Sequence, residues 1–333
     1  LCNIEVKDYQ KSIYVLNQII KSKGADRIVF FYRALANYHL NNYSIAVQDL
    51  IDGLGLPLES YIKDFGVPYA EMYCLRGKCK SNLESFEEAI IDFKKSIQLD
   101  PTYEEAYFEC GLIHYKNGSY KDSIINFTKT IELSPNEEFN YYFRGLAHSE
   151  SGSSSKKEAI DDFSKAIEIN PDYSDFYRTR ADVYEADENY IAAIKDYTAA
   201  IRLNADDADL YFNRASIKDI FLKDRLGALK DYNKVIEIDP EYEAAFYLRG
   251  LLKLTVEDYK GAIEDLTKSI EIDPDEEDTY FFRADAKMLI GDFEGAIEDY
   301  TEVLNMDPNN ADAFKNRSKC LIRIGQKKLG KLD

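Results

Sequence analysis

Tryptophan is absent from these 333 residues, and methionine and histidine occur only three times each. His39, His114 and His148 are too few and too scattered for a catalytic triad or a zinc-protease motif, and no Gly-rich phosphate loop appears. The five cysteines (Cys2, Cys74, Cys79, Cys110, Cys320) are odd in number and show no paired framework, which argues against a disulfide-built fold. Long hydrophobic runs are missing as well. Nothing approaches the ~20 apolar residues of a transmembrane span, and no signal peptide is visible, so membrane insertion is not expected. The chain begins at Leu1 rather than Met. A cytoplasmic location is expected, and that start is why secreted and periplasmic ones are left open.

Positive charge is also in short supply. The formal net charge is −19, and residues 171–333 carry 36 acidic against 23 basic side chains. Such a surface repels phosphate backbones and anionic lipid, so nucleic acid is not an expected partner and a basic peptide is. Acidity that only keeps an aromatic-rich chain soluble is an equal alternative.

Six prolines, by contrast, are evenly spread. Pro101, Pro135, Pro171, Pro240, Pro274 and Pro308 are separated by 34, 36, 69, 34 and 34 residues, with Ala205 in the skipped place. A period of that size means one supersecondary unit copied along the chain. Within residues 242–274, Phe246 and Gly250 keep helical spacing, and Tyr259, Ala262, Ile263, Leu266 and Ile270 keep it again after a polar turn. Each unit therefore reads as two amphipathic helices, stopped by the proline that follows the second. Gly or Ala recurs at the eighth position (Gly77, Gly111, Gly145, Ala181, Ala215, Gly250, Ala284) and Ala at the twentieth (Ala89, Ala159, Ala193, Ala228, Ala262, Ala296), where the helices of a pair must approach closely.

This pattern resembles the tetratricopeptide repeat family over nearly the whole chain, with Tyr73, Tyr107, Tyr141, Tyr177, Tyr211, Phe246 and Tyr280 standing where that family commonly has Trp. The resemblance implies an all-α, right-handed superhelical solenoid. Eight repeats are expected, at about 27–60, 70–103, 104–137, 138–173, 174–207, 208–242, 243–276 and 277–310. Residues 1–24 read as an orphan helix, and 311–333 as a C-terminal helix or the start of a ninth repeat. Two stretches break the period, residues 61–69 and the Ser-rich 149–157, and both read as loop drift more readily than as contact points.

Position seven holds Arg33, Arg76, Arg144, Arg180, Arg214, Arg249, Arg283 and Arg317. Sixteen residues on stand Asp49, Asp92, Asp196, Asp265 and Asp299, with Asp162 and Asp231 displaced to 18 and 17 by insertions. Repeat three loses both at once, having Cys110 and Asn126. Joint loss is what touching positions show, so these are expected to be structural ion pairs across each hairpin. On that reading Arg249→Leu destabilises more than Arg249→Leu with Asp265→Leu.

The resemblance implies that first helices line a concave groove. Position five carries Phe31, Phe108, Tyr142, Arg178, Phe212, Tyr247 and Phe281, position twelve carries Tyr38 and Tyr115, and Asp182, Asp209, Asp278 and Asp285 add acid. An aromatic floor with a carboxylate rim suits an extended peptide with apolar anchors and basic residues between them. Packing of position five on the neighbouring first helix is the competing reading. The Lys and Asn pair with which chaperone-binding members grip a C-terminal carboxylate is missing at positions five and nine. Cys110, His114 and His148, with Cys79, are the one metal-like constellation, and core packing outweighs it, so no metal and no cofactor are expected.

The expected function is a non-catalytic protein-interaction scaffold that binds a peptide segment or helix of a partner. The alternative is an assembly or regulatory region of a larger polypeptide, since both ends stop mid-unit. Self-association through terminal repeats is also compatible with the uncapped ends.

Overall fold

A computed structural model describes residues 8–23, 26–56 and 69–325. The expected insertion at 61–69 lies outside the described residues except for Tyr69, as do Cys2 and Asp333. Eighteen α-helices and one short 3-10 turn make up the regular structure of the described residues.

The chain divides into two units, Leu1–Pro171 and Asp172–Asp333. In the first, α1 (Tyr9–Lys23) packs on α2 (Arg27–His39), which forms a hairpin with α3 (Tyr43–Gly55). Three more hairpins follow: α4 (Tyr69–Asn82) with α5 (Phe86–Leu99), α6 (Glu104–Lys116) with α7 (Tyr120–Leu133), and α8 (Glu138–Glu150) with α9 (Lys156–Ile169). In the second unit α10 (Ser174–Ala186) pairs with α11 (Tyr190–Leu203), and α12 (Ala208–Ile220) with α13 (Arg225–Ile238). Likewise α14 (Glu243–Thr255) pairs with α15 (Tyr259–Ile272), α16 (Glu277–Leu289) with α17 (Phe293–Met306), and α18 (Ala311–Arg323) closes on α17. Within each unit every second helix also packs on the first helix of the next hairpin, so the core runs on from repeat to repeat.

The hairpins close through small residues. Ala34, Ala46, Ala89, Ala181, Ala193, Ala228, Ala262 and Ala296 have no exposed surface, and the glycines at position eight face a ring or a leucine. The proline turns are fixed by the acid before them. Asp100, Asp239, Asp273 and Asp307 each accept the backbone N–H two residues on, at 2.9–3.1 Å, while proline prevents the helix from continuing. The turn inside each hairpin needs one left-handed residue. Gly118 and Gly291 supply it without strain, whereas Glu84, Glu188, Lys223 and Glu257 adopt φ of 57–63° at some cost.

Candidate functional site

The arginines of position seven each sit between aromatic and acid. Arg180 Nε and Nη2 donate to Asp196 at 2.6 and 2.9 Å, and Arg249 and Arg283 grip Asp265 and Asp299 in the same fork. Arg33, Arg76, Arg144 and Arg214 do so with Asp49, Asp92, Asp162 and Asp231. Each guanidinium also lies over the position-four ring, as Arg76 does at 5.0 Å from the Tyr73 centroid. Two further partners were not read from the sequence. The remaining Nη1 of Arg144, Arg214, Arg283 and Arg317 donates to a threonine 16 residues earlier, and that of Arg33 and Arg249 to Asn17 and Asn233. A lysine four residues after the arginine (Lys80, Lys218, Lys253, Lys287) adds a second cation to the same carboxylate at 2.7–3.0 Å. The recurrent Arg-x-x-x-Lys spacing carried that signal. In repeat three Cys110 is buried, and Asn126 is half-buried and donates back to the Asp122 carbonyl of its own helix. The ladder therefore joins the two helices of every hairpin but that of repeat three, and its acids are engaged there.

A cavity of about 290 Å³ opens on the first-helix face of the first unit, between α2, α4 and the start of α6. Phe31, Leu35 and Leu75 form its apolar wall, and Tyr38, Tyr103, His39, Glu71, Lys78 and Glu105 complete it. Phe31, read as groove floor or as packing on the neighbouring first helix, lines the cavity and packs inward as well. Only 8% of it is exposed, because it joins the core cluster of Met72 and Leu75 under the cavity. Lys78 Nζ donates to Glu105 at 2.8 Å, lies 3.9 Å from Glu109 and stands 5.2 Å from the Tyr38 ring centroid. Tyr103 donates its hydroxyl to Glu105 at 2.7 Å. Burial pushes the Glu71 carboxyl up, and the charge of Glu105 adds to this. Glu109 is raised by burial too. Burial acts on Glu105 in the same sense, but the bonds from Lys78 and Tyr103 hold it below the ordinary value.

The other position-five rings mostly serve two surfaces. Phe108 packs edge-on against Phe143 of the next first helix at 5.5 Å, Tyr142 contacts Phe143 at 5.3 Å, and Tyr247 meets Phe282 at 6.3 Å, all of them half-buried. Phe212 lies against Tyr242 at 5.0 Å, and Phe281 against Tyr300 at 5.8 Å. Tyr38 and Tyr115 each pack on the first residue of their hairpin's second helix, Tyr43 and Tyr120, at 5.6 and 5.8 Å. Arg178 forms an ion pair with Asp175 at 3.1 Å. Asp278 is exposed, close enough to Tyr247 that its charge joins burial in pushing that phenol up to about 12.

Three of the four acids read as rim carboxylates are already occupied. Asp182 accepts the Tyr197 hydroxyl at 2.6 Å, Asp285 accepts that of Tyr300, and Asp209 accepts that of Tyr242 at 2.9 Å. Tyr197 and Tyr300 belong to second helices, so Asp182 and Asp285 stitch the two helices of their hairpins together. Surrounding protein strips hydration from both carboxylates and raises their pKa. A raised acid binds its proton more tightly in the folded state. The stability this contributes is complete below the ordinary aspartate value and is lost as pH rises through the folded one. Asp182→Asn with Asp285→Asn keeps an oxygen for each tyrosine and removes the charge. Urea titrations followed by circular dichroism are expected to show the variant at least as stable as the parent at pH 7, with a flatter stability profile from pH 4 to 7. A variant clearly weaker at pH 7 would mean that the ionised form is what the hydroxyls need.

Cys74, Cys79 and Cys110 are buried, and burial pushes the Cys79 and Cys110 thiols up to about 12 and about 11. His114 and His148 are half-buried with pKa values lowered by burial. Among the described residues no three His, Cys, Asp or Glu side chains converge as metal ligands. No helix of these residues is long and apolar enough to cross a membrane.

Sequence models described as TPR repeat and tetratricopeptide repeat match residues 82–118 and residues 175–207, 208–242, 244–276 and 277–310, together more than half of the chain. The chain belongs to the tetratricopeptide repeat family. The C-terminal part of a TPR repeat-containing protein from Cytophaga hutchinsonii is similar in structure, at 19% identity and a TM-score of 0.61, over 71% of this chain and 93% of that one. A tetratricopeptide repeat protein from Parabacteroides merdae is similar at 15% identity and a TM-score of 0.53, over 77% of this chain and all of that one. At those identities the likeness concerns the fold alone. Comparison with curated proteins returns no match. Tetratricopeptide repeats as a family are generally non-catalytic, and arrays of this kind support protein-interaction scaffolds.

Proposed function

We propose that this tetratricopeptide repeat protein holds an extended peptide segment of a partner protein against its first helices, without catalysing a reaction on it. The observation that carries this reading is the 290 Å³ cavity on the face of α2, α4 and α6. It combines an aromatic and aliphatic wall with charged groups at its mouth, the composition that fixes both the affinity and the register of a bound chain. Half-exposed rings at Phe108 and Tyr142 extend the same face of the first unit, and Phe212, Tyr247 and Phe281 provide a comparable face in the second. The excess of acid favours basic partners.

Fifteen-residue peptides selected from a random display library, then mapped by amide hydrogen exchange, test this directly. Protection is expected on α2, α4, α6 and the other first helices, and Tyr38→Ser with Tyr142→Ser should weaken binding about tenfold or more. Protection confined to second helices or to the hairpin turns would remove the reading.

A further inference from the structure

We propose that the cavity between α2, α4 and α6 is the receptor for a cationic side chain, lysine or arginine, of the bound peptide. This rests on the reading of the first-helix face as a peptide groove and specifies one subsite within it.

The cavity already holds one cation in the way a second would be held. The Lys78 ammonium reaches in from α4 and is clasped by Glu105 at 2.8 Å, with the Tyr38 ring 5.2 Å away. Carboxylate on one side and aromatic face on the other is how a long cationic side chain is bound when its stem lies on apolar surface. Charge is not balanced there, however. The lining carries two carboxylates, Glu71 and Glu105, against the one ammonium of Lys78, which is also 3.9 Å from Glu109, a neighbour outside the lining that feels Lys116 as well. Glu71 is exposed at the mouth, and among the described residues its carboxylate receives no hydrogen bond. Phe31, Leu35 and Leu75 supply the surface along which an aliphatic stem would lie.

Charge decides between a basic and an acidic side chain. An incoming carboxylate would meet Lys78, but that ammonium is already engaged by Glu105, and the newcomer would face the like charges of Glu71 and Glu105. An incoming cation would meet the exposed Glu71 carboxylate instead.

The test uses the whole 333-residue chain with methyl-labelled leucine, reading the Leu35 and Leu75 signals by NMR. The probes are acetyl-Ala-Leu-Arg-Leu-Ala-amide and its counterparts carrying neutral citrulline or glutamate in place of arginine. The arginine peptide is expected to shift both methyls saturably, with citrulline at least about tenfold weaker. Glu71→Gln should weaken the arginine peptide by about threefold to tenfold. Lys78→Gln, which removes the competing cation, should tighten it. Equal binding of arginine and citrulline, or no effect of Glu71→Gln, would overturn the cation site while leaving the groove intact, provided first-helix amides are still protected. Preference for glutamate, lost in Lys78→Gln, would assign the cavity to an anion instead. If no probe shifts these methyls or protects the first helices, both readings fall together.

Discussion

Replacing Arg180 by leucine is expected to destabilise the second unit by about 4 kcal/mol, within the range of about 3–5 kcal/mol for breaking a buried pair from one side. The loss comes from what is left behind. Asp196 keeps 5% of its side chain exposed, and position eleven of its repeat is Tyr184, so no lysine stands ready to neutralise it. Arg180→Leu with Asp196→Leu removes both charges and should recover most of the loss, because an apolar pair of similar volume avoids the desolvation that two buried ions require. Arg249→Leu provides the contrast. Asp265 retains Lys253 at 2.8 Å, so about half the penalty is expected there. Without tryptophan, urea unfolding is read by circular dichroism, and hydrogen exchange in α10 and α11 localises the effect, since repeats can open separately. Equal losses for Arg180→Leu and its double variant would show that the guanidinium matters for its packing on Tyr177 and not for its charge.

That contrast marks where sequence stops and structure begins. A spacing of 16 from arginine to aspartate was legible because every hairpin has the same helix lengths, and the exceptions Asp162 and Asp231 only follow longer turns. Lys253 was equally periodic, but position eleven also holds Asn37, His148 and Tyr184, and only geometry shows Asn37 and His148 reaching the acids of their own hairpins, Asp49 and Asp162. The proline period gave the hairpins through local rules of stop and turn. The first-helix face was harder, because what a position-five ring touches depends on the next repeat. Phe31 joins a buried cluster with Met72 and Leu75, while Phe108 rests half-exposed on Phe143. Asp182 and Asp285 read as free acids because their partners, Tyr197 and Tyr300, lie 15 residues away on another helix. The cavity joins side chains of three repeats, a coincidence that no single repeat displays.

Those tyrosines expose a second code, whose test is Gly145→Ala. At position eight, glycine faces phenylalanine in three repeats (Gly77 with Phe93, Gly111 with Phe127, Gly145 with Phe163), whereas alanine faces tyrosine in three others (Ala181 with Tyr197, Ala215 with Tyr232, Ala284 with Tyr300). A Cβ added at Gly145 would lie 2.8 Å from the Phe163 ring, closer than real Cβ contacts come. Phe163 has no exposed surface and no room to retreat, so Gly145→Ala is expected to cost about 1–3 kcal/mol despite alanine's better helix propensity. The tyrosine hydroxyls are anchored at position nine, on Asp182, Ser216 or Asp285, and that anchor is expected to draw the ring off position eight. Gly145→Ala with Leu146→Asp and Phe163→Tyr rewrites repeat four in the idiom of repeat five and should regain most of the lost stability in urea. A single variant as stable as the parent would show that the ring does not claim the Cβ space. A triple variant no better than the single one would show that the hydroxyl anchor is not what moves it.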